Sequence, residues 1–163
     1  MEFREADPGD APAIRRVARR SWHEAYDEII GAQAVEEKID EWYGVPTLEE
    51  SIEREDSPMI VAVEEDVIGF AQGGPSDGGP ASASLWRIYL LPEFWGDGLG
   101  GTLLELVFDE LRADGHDDVW LSVMADNSVG RAFYQKHGFE IQERQTTELA
   151  GQEITDLVLR REL

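Results

Sequence analysis

Apolar residues follow two different spacings along this chain, and the alternation between the two predicts its secondary structure. Extended apolar runs, typical of β-strands, cover residues 3–6, 59–63, 67–71, 85–91, 119–123, 139–149 and 154–159. Apolar residues three or four positions apart indicate helices from residue 11 onward and over 34–42, 48–54, 99–112 and 127–136. The stretch 73–82, rich in glycine, proline and serine, is predicted to be a loop. We expect one mixed α/β (α+β) domain spanning residues 1–163.

The stretch 99–112 shows the clearest one-sided helix. Its apolar residues at 103, 104, 107, 108 and 111 fall on one face, and Gly115 follows as a stop signal. This helix is therefore expected to pack against the sheet. Its first turn carries a glycine-rich segment with a chemical signal of its own.

That segment, Gly96-Asp97-Gly98-Leu99-Gly100-Gly101, lies between the strand 85–91 and the helix. Glycine lets a backbone approach a ligand closely. The unpaired N–H groups at the start of a helix favour an anion, and a pyrophosphate is a natural occupant. Glycine turns also serve as plain strand-to-helix connections, so this turn alone does not define a function.

The same residues match the dinucleotide pattern G-x-G-x-x-G, typical of nicotinamide-binding folds. In those folds the glycines directly follow a strand within repeated βαβ units. Here residues 92–95 intervene, and the preceding chain reads as a β-hairpin. The acid about 20 residues further on, Asp117 or Asp118, precedes a strand instead of ending one. A nicotinamide site is therefore less favoured by this pattern than another kind of anion site.

The stretch 126–139 carries the second chemical signal. Asn127 and Tyr134 are seven residues apart, so on a helix they share a face at a separation of about 10 Å along the axis. Gly130, one turn after Asn127, is expected to keep that face shallow enough for a ligand to lie against it. A helix tyrosine alone is more typical of half-buried packing. Its combination with the glycine turn points to a ligand site.

Together the two stretches resemble the GNAT superfamily of N-acetyltransferases. Pro92-Glu93-Phe94 followed by the glycine turn resembles the family's motif A, R/Q-x-x-G-x-G/A, and residues 127–139 resemble its motif B. Residues 3–26 also resemble the family's first strand and helix. Trp95 departs from the pattern, because it stands where motif A has Arg or Gln. Since backbone amides do most of the phosphate binding, this departure puts cofactor affinity in question and not the family.

The resemblance implies a central, mixed, mostly antiparallel sheet, splayed between its fourth and fifth strands and flanked by helices. Acetyl-CoA, the implied co-substrate, would enter the gap. Its implied binding residues are Ile88, Tyr89, Leu90, Gly96, Asp97, Gly98, Leu99, Gly100, Gly101 and Asn127. The Leu90 N–H would polarise the thioester carbonyl, and Tyr134 would be the general acid that protonates the leaving thiolate. The implied reaction is direct transfer of the acetyl group to a primary amine.

The acceptor end of the site is less well defined. Trp22 and Tyr26 are weak candidates for its walls, and the general base is either a water relay or one of three carboxylates near the end of the first helix, Glu24, Asp27 or Glu28. Family members acetylate small-molecule amines, protein N-termini and lysines, and the sequence does not choose among them. Because the strand 85–91 has no Asp or Glu, a non-catalytic acyl-CoA-binding sensor or regulatory module is the alternative function.

The charge of the chain is unusual. Asp and Glu total 35 against 14 Lys and Arg, which gives a formal net charge of −21. Only two of the cations are lysines, Lys38 and Lys136. Such acidic, lysine-poor surfaces resemble those of halophile proteins, whose self-repulsion is screened by salt. The charge predicts loss of structure or activity in low salt, and it argues against a nucleic-acid partner, which needs a basic face.

Several residue types and segments are missing from the sequence. There is no cysteine, and the three histidines lack a metal-binding spacing, so neither a thiolate site nor a metal is expected. No run approaches ~18 apolar residues, and no apolar segment follows a basic start, so we expect no membrane span and no signal peptide. We expect a cytoplasmic enzyme. A homodimer is left open, because dimers are common in the family.

Overall fold

The computed structural model describes residues 1–163. The strands are β1 Glu2–Glu5, β2 Met59–Glu64, β3 Asp66–Pro75, β4 Ala83–Leu90, β5 Asp118–Met124, β6 Glu140–Leu149 and β7 Gln152–Glu162. The α-helices are α1 Ala11–Ile30, α2 Ala32–Trp42, α3 Val45–Glu53, α4 Leu99–Ala113 and α5 Ser128–Lys136. Short 3-10 turns at Pro8–Asp10 and Pro92–Phe94 precede α1 and the glycine turn. No helix is both long and apolar enough to cross a membrane.

All seven strands join one sheet in the order β1-β2-β3-β4-β5-β7-β6. Every neighbouring pair is antiparallel except β4 and β5, which are parallel. Alternate residues of β3 face opposite layers: a Cβ on Gly73 would touch Val107 of α4, whereas Phe70 contacts Tyr43 at the end of α2. The predicted mixed, mostly antiparallel sheet flanked by helices is confirmed.

The sheet opens between β4 and β5. Only Ala83 with Val119 and Ser84 with Trp120 are paired across these strands. Beyond them a register shift, at Gln72/Gly73 of the β3–β4 ladder, marks an irregularity of the kind that bends a strand. The rest of β4 therefore runs away from β5, and the predicted gap between the fourth and fifth strands is confirmed.

The paired end of β4 and β5 is held by Asp118. One of its carboxylate oxygens accepts a hydrogen bond from the Ser82 N–H at 2.8 Å, and the other accepts from the Arg160 guanidinium at 2.9 Å. These hydrogen bonds hold the pKa of Asp118 below its ordinary value. The strands are thus fastened at one end and free at the other, which fixes the position of the opening.

The glycines at the start of the predicted loop 73–82 belong to a strand instead. Residues Gly73 to Pro75 continue β3 and pair with Leu85, Ser84 and Ala83. A Cβ on Gly73 would lie 3.0 Å from the Ser84 carbonyl oxygen and 3.2 Å from Val107. The glycine therefore permits close packing of β3 under α4, and this tertiary reason does not show in local composition.

Helix α4 buries the apolar face that its sequence predicts. The five apolar residues at 103, 104, 107, 108 and 111 are fully buried, and the helix contacts β2, β3 and β4. Burial of one leucine-sized side chain contributes about 1.5–3 kcal/mol, so burial of these five residues holds the helix in a fixed position on the sheet. The position of α4 matters because its N-terminus points to the open end of β4.

Candidate active site

The divergence of β4 and β5 creates a cleft with a volume of about 550 Å³. Helix α1 crosses it: the Ser21 hydroxyl donates to the Leu90 carbonyl at 3.0 Å, and the Tyr26 hydroxyl accepts from the Asn127 side chain at 3.1 Å. Residues 85–90, 121–123 and 126–130, together with parts of the glycine turn, α1 and α5, line the cleft. The volume is in the range of small-molecule and cofactor sites.

The glycine turn presents an open helix N-terminus to this cleft. Gly96 and Gly98 have φ of +88° and +79°, a left-handed conformation that favours glycine. The first helical bond runs from the Thr102 N–H to the Gly98 carbonyl at 3.2 Å, so the preceding N–H groups of α4 have no partner within the helix. A Cβ placed on Gly96 or Gly98 would meet nothing within 4 Å. Free donors on an accessible turn fit a pyrophosphate.

The last two glycines of the turn have a second role. A Cβ on Gly100 would lie 3.0 Å from Phe133, and one on Gly101 would lie 2.8 Å from His137. They therefore allow α5 to pack directly against the first turn of α4. Asp97, the one polar residue of the turn, is exposed and does not line the cleft.

The edge of β4 turns backbone groups toward the cleft. The Leu91 N–H donates to the Ile68 carbonyl at 2.9 Å. In an antiparallel ladder, bonded and non-bonded pairs alternate, so the next residue, Leu90 opposite Gly69, directs its N–H and carbonyl away from β3 and toward the cleft. The same alternation turns the backbone of Ile88 to the cleft and that of Tyr89 to β3. Two of the three predicted strand residues therefore offer backbone contacts to a ligand.

Tyr134 lines the cleft from α5. Its ring packs edge-on against Phe139 and Phe133, with centroids 5.7 and 5.4 Å away, and its hydroxyl makes no hydrogen bond within the protein. Burial raises the pKa of the hydroxyl well above its ordinary value of 10. The group therefore stays protonated through the physiological range, as a hydrogen-bond or proton donor must.

Asn127 holds two elements together. Its Oδ1 caps α5 by accepting from the Gly130 N–H at 2.9 Å, while its Nδ2 donates to the Tyr26 hydroxyl. A Cβ on Gly130 would lie 2.6 Å from Asn127 Nδ2, so this glycine makes room for the cap, and it also lines the cleft. Burial raises the pKa of Tyr26 to about 12. Both residues still line the cleft.

Trp22 is placed differently from Tyr26. It is buried and does not line the cleft, and its ring packs 4.6 Å from that of Tyr26 and within 6.4 Å of the rings of Trp42, Tyr43 and Tyr89. It therefore supports the wall that Tyr26 forms and is not itself part of it. The reason is helical geometry, because residue 22 points into the core while residues 21 and 25 face the cleft.

The three carboxylates considered for the general base fall into two groups. Glu24 and Glu28, one turn apart on α1, line the cleft. Asp27 does not, and its carboxylate lies 2.6 Å from His23 Nδ1 on another face of the helix. The cleft lining also includes residues that were not anticipated as site residues, among them Ser21, Asp126 and Lys136. Ser21 could have been found, because it shares the helical stripe of Glu24 and Glu28.

Comparisons with known proteins agree with this geometry. The sequence profile of the acetyltransferase (GNAT) family matches residues 15–139. A spermidine N(1)-acetyltransferase from Thermoplasma acidophilum is 30% identical over 148 residues, which cover 88% of this chain and 90% of that protein. A ribosomal protein bS18-alanine N-acetyltransferase from Escherichia coli K12 is 40% identical over a shorter stretch of 57 residues, 35% of this chain and 38% of that protein.

A solved structure extends the similarity to the whole chain. The crystal structure of a PaiA N-acetyltransferase from Thermoplasma acidophilum in complex with coenzyme A has a TM-score of 0.86 at 28% identity, and the match covers 99% of this chain and 98% of that one. The splayed sheet and the open helix N-terminus, with these relatives, define an acyl-CoA-dependent N-acetyltransferase. The chain belongs to the acetyltransferase (GNAT) family.

Proposed function

We propose that residues 1–163 form a single domain that transfers the acetyl group of acetyl-CoA to a cationic primary amine, in the cytoplasm. The observation that carries this proposal is that one cleft joins an open helix N-terminus, the outward-facing N–H of Leu90, the free hydroxyl of Tyr134 and the carboxylates of Glu24 and Glu28. Each group matches one requirement of the reaction.

The glycine turn and the edge of β4 bind the acetyl-CoA. The free amides at the start of α4 donate hydrogen bonds to the pyrophosphate, and Lys136, at the end of α5, adds a positive charge to the lining of the cleft. The backbone of Ile88 and the N–H of Leu90 face the coenzyme in place of the missing neighbour strand, whereas the Leu90 carbonyl already accepts a hydrogen bond from Ser21. Asn127, occupied by its cap and by Tyr26, acts by holding α5 and α1 in place beside the cofactor.

The chemical step uses Leu90 and Tyr134. The amine nitrogen attacks the thioester carbonyl carbon, and the Leu90 N–H stabilises the negative charge that grows on the carbonyl oxygen. The carbon–sulfur bond then breaks, and Tyr134 donates its proton to the departing sulfur. The ammonium group loses one proton to water or to a carboxylate of the cleft before it attacks, because only the neutral amine has a lone pair. The nitrogen loses a second proton as the amide forms, and through water this proton restores the one that Tyr134 gave to the sulfur. The products are the N-acetylated amine and coenzyme A with a free thiol.

The acceptor end favours a positively charged substrate. Glu24, Glu28 and Asp126 line the cleft, whereas Arg87 there is engaged by the side chains of Gln72 and Ser51. Carboxylates attract an ammonium group and then hold the amine near the thioester. The spermidine acetyltransferase among the relatives supports a polyamine as the first acceptor to test, and the bS18-alanine enzyme supports a peptide N-terminus as the second.

Thiol release tests the proposal cleanly, because the protein has no cysteine of its own. Purified protein at high salt is mixed with acetyl-CoA and with one amine at a time: spermidine, a peptide with an N-terminal alanine, or a peptide that contains lysine. The free thiol of the released coenzyme A is then measured with a colorimetric disulfide reagent. We expect thiol release with at least one amine, and an acetylated product by mass spectrometry. Tight coenzyme A binding with no product from any amine would favour the acyl-CoA sensor instead.

Tyr134→Phe tests the role of the hydroxyl. The ring and its packing against Phe139 remain, so we expect acetyl-CoA affinity to stay unchanged while turnover falls by about 10²-fold, the scale of general acid catalysis. Tyr43→Phe, which removes a hydroxyl from a buried tyrosine outside the cleft lining, is the matched control. Unchanged turnover in Tyr134→Phe would remove this residue from the acid role.

The acidic surface supports a further part of the proposal, namely that the protein comes from a salt-accumulating organism. Arginines such as Arg4, Arg19 and Arg160 pair with carboxylates, yet acidic residues exceed basic ones by 21. Most of the excess carboxylates therefore have no cation beside them. Screening by salt lowers their mutual repulsion and stabilises the folded chain.

A further inference from the structure

The carbonyl oxygen of Leu90 receives two hydrogen bonds from outside the sheet. The indole Nε1 of Trp95 donates to it at 2.8 Å, and the hydroxyl of Ser21 donates to it at 3.0 Å. Ser21 is buried at 3% exposure, while Trp95 lines the cleft and is 38% exposed. Both donors therefore converge on the last residue of β4, the residue whose N–H faces the cleft.

The position of this carbonyl makes its partners chemically relevant. In an extended strand the N–H and carbonyl of one residue point to the same side. The oxygen of Leu90 thus lies on the side where, under the proposed function, the Leu90 N–H meets the thioester oxygen. An unpaired carbonyl there would direct negative potential at an oxygen that becomes negative during attack. Two donors offset this potential and fix the orientation of the residue.

Trp95 also connects two parts of the site. It directly precedes Gly96, so its side chain ties the glycine turn to the end of β4, and Ser21 ties α1 to the same atom. The residue that breaks the R/Q-x-x-G-x-G/A pattern thereby has a function of its own. An arginine or glutamine side chain has no rigid ring to hold its N–H against this carbonyl.

We propose that Trp95 and Ser21 are positioning residues that hold the Leu90 backbone so that its N–H polarises the thioester carbonyl of bound acetyl-CoA. This inference rests on the proposed function, because it needs acetyl-CoA to lie along β4. Neither side chain is required to touch the reacting atoms. Their effect should therefore show in the polarisation of the carbonyl and in turnover, and not in the affinity for the coenzyme.

The test measures the carbonyl directly. Acetyl-CoA labelled with ¹³C at the acetyl carbonyl is bound to the protein at high salt, and its carbonyl stretching frequency is recorded by isotope-edited infrared difference spectroscopy. The variants are Trp95→Phe, Ser21→Ala and the double variant. Trp120→Phe is the matched control, because it removes an indole N–H that donates to the Ser76 hydroxyl at 2.7 Å, outside the cleft lining.

We expect the wild type and Trp120→Phe to shift the carbonyl to lower frequency on binding. Each single variant should lose part of this shift and the double variant most of it, while coenzyme A affinity stays within about twofold, a free-energy change well below 1.4 kcal/mol. With spermidine, or whichever amine the panel identifies, kcat of the double variant should fall about tenfold, less than the 10²–10³-fold cost of deleting an oxyanion donor. KM for acetyl-CoA should hardly change.

The failures are distinguishable. If acetyl-CoA does not bind the wild type, the proposed function fails. If it binds and the variants show the wild-type frequency, or if the wild type itself shows no shift, the positioning role is overturned and acetyl-CoA binding stands. Circular dichroism and coenzyme A binding confirm folding of each variant. Ser21→Ala and Trp95→Phe remove donors from different elements, so a folding defect in one leaves the other decisive.

Discussion

Asn127 is the residue whose replacement probes the site's construction most sharply. It caps α5 and simultaneously donates to Tyr26 of α1, so a single side chain joins the two helices across the cleft. Asn127→Ala removes both interactions, whereas Asn127→Asp keeps an oxygen at the cap. The acidic side chain also suits a helix N-terminus, where the dipole favours negative charge.

The magnitude follows from the two contacts. Loss of an N-cap costs about 1 kcal/mol, and leaving the buried Tyr26 hydroxyl without its donor costs a further ~1–2 kcal/mol. Asn127→Ala should therefore lower the free energy of unfolding by about 2–3 kcal/mol. For a chain of this size that corresponds to a fall in Tm of about 5–10 °C. Asn127→Asp should lose less than about 1 kcal/mol, because the cap remains and the Tyr26 hydroxyl can donate to the new carboxylate.

Thermal and urea unfolding of four proteins measure the effect: wild type, Asn127→Ala, Tyr26→Phe and the double variant. The double-mutant cycle should give a coupling energy of about 1 kcal/mol for the pair. Additive effects within about 0.3 kcal/mol, together with an Asn127→Ala variant that melts like the wild type, would refute this account of the helix junction.

Three further results are expected. The pKa of Tyr26 is about 12 in the folded protein and about 10 in the unfolded chain, so the folded state favours the protonated hydroxyl. The stabilising contribution of Tyr26 should therefore be complete below pH 10 and be lost as the pH rises toward 12. The free energy of unfolding of Tyr26→Phe should fall less steeply over the same pH range. Gln72→Leu removes the hydrogen-bond partner of groups on buried Ser51 and Ser57 and on half-buried Arg87, and urea unfolding should show a free energy of unfolding lower by about 3–5 kcal/mol. Tm and activity should rise between about 0.05 and 1 M KCl, over which the Debye length falls to ~3 Å, and full activity at the low end would contradict the salt requirement.

The sequence predicted those parts of the fold that depend on local pattern. The buried face of α4, at 103, 104, 107, 108 and 111, could be read from residue spacing alone because the helix packs one continuous stripe on the sheet. The glycine turn and the helix tyrosine were found for a similar reason. Their spacing along one short segment already places them on defined sides of a helix.

Features that join distant segments could not be predicted in this way. Ser21 and Trp95 lie 74 positions apart in the numbering and meet only because both reach the Leu90 carbonyl. The role of Gly130 as room for the Asn127 cap depends on a rotamer, and that of Gly73 depends on the approach of α4. Asp27 and Glu28 are neighbours in sequence, but helical rotation places only Glu28 in the cleft. Such distinctions require the packed chain.

A crystal structure of the protein with acetyl-CoA would show directly whether the coenzyme enters the opening between β4 and β5. We expect pyrophosphate oxygens about 2.7–3.2 Å from the amide nitrogens at the start of α4, the pantetheine beside β4, and the thioester oxygen at a similar distance from the Leu90 amide nitrogen. The sulfur should lie within reach of the Tyr134 hydroxyl. A coenzyme bound outside the β4–β5 opening, or a thioester out of reach of both groups, would contradict this expectation.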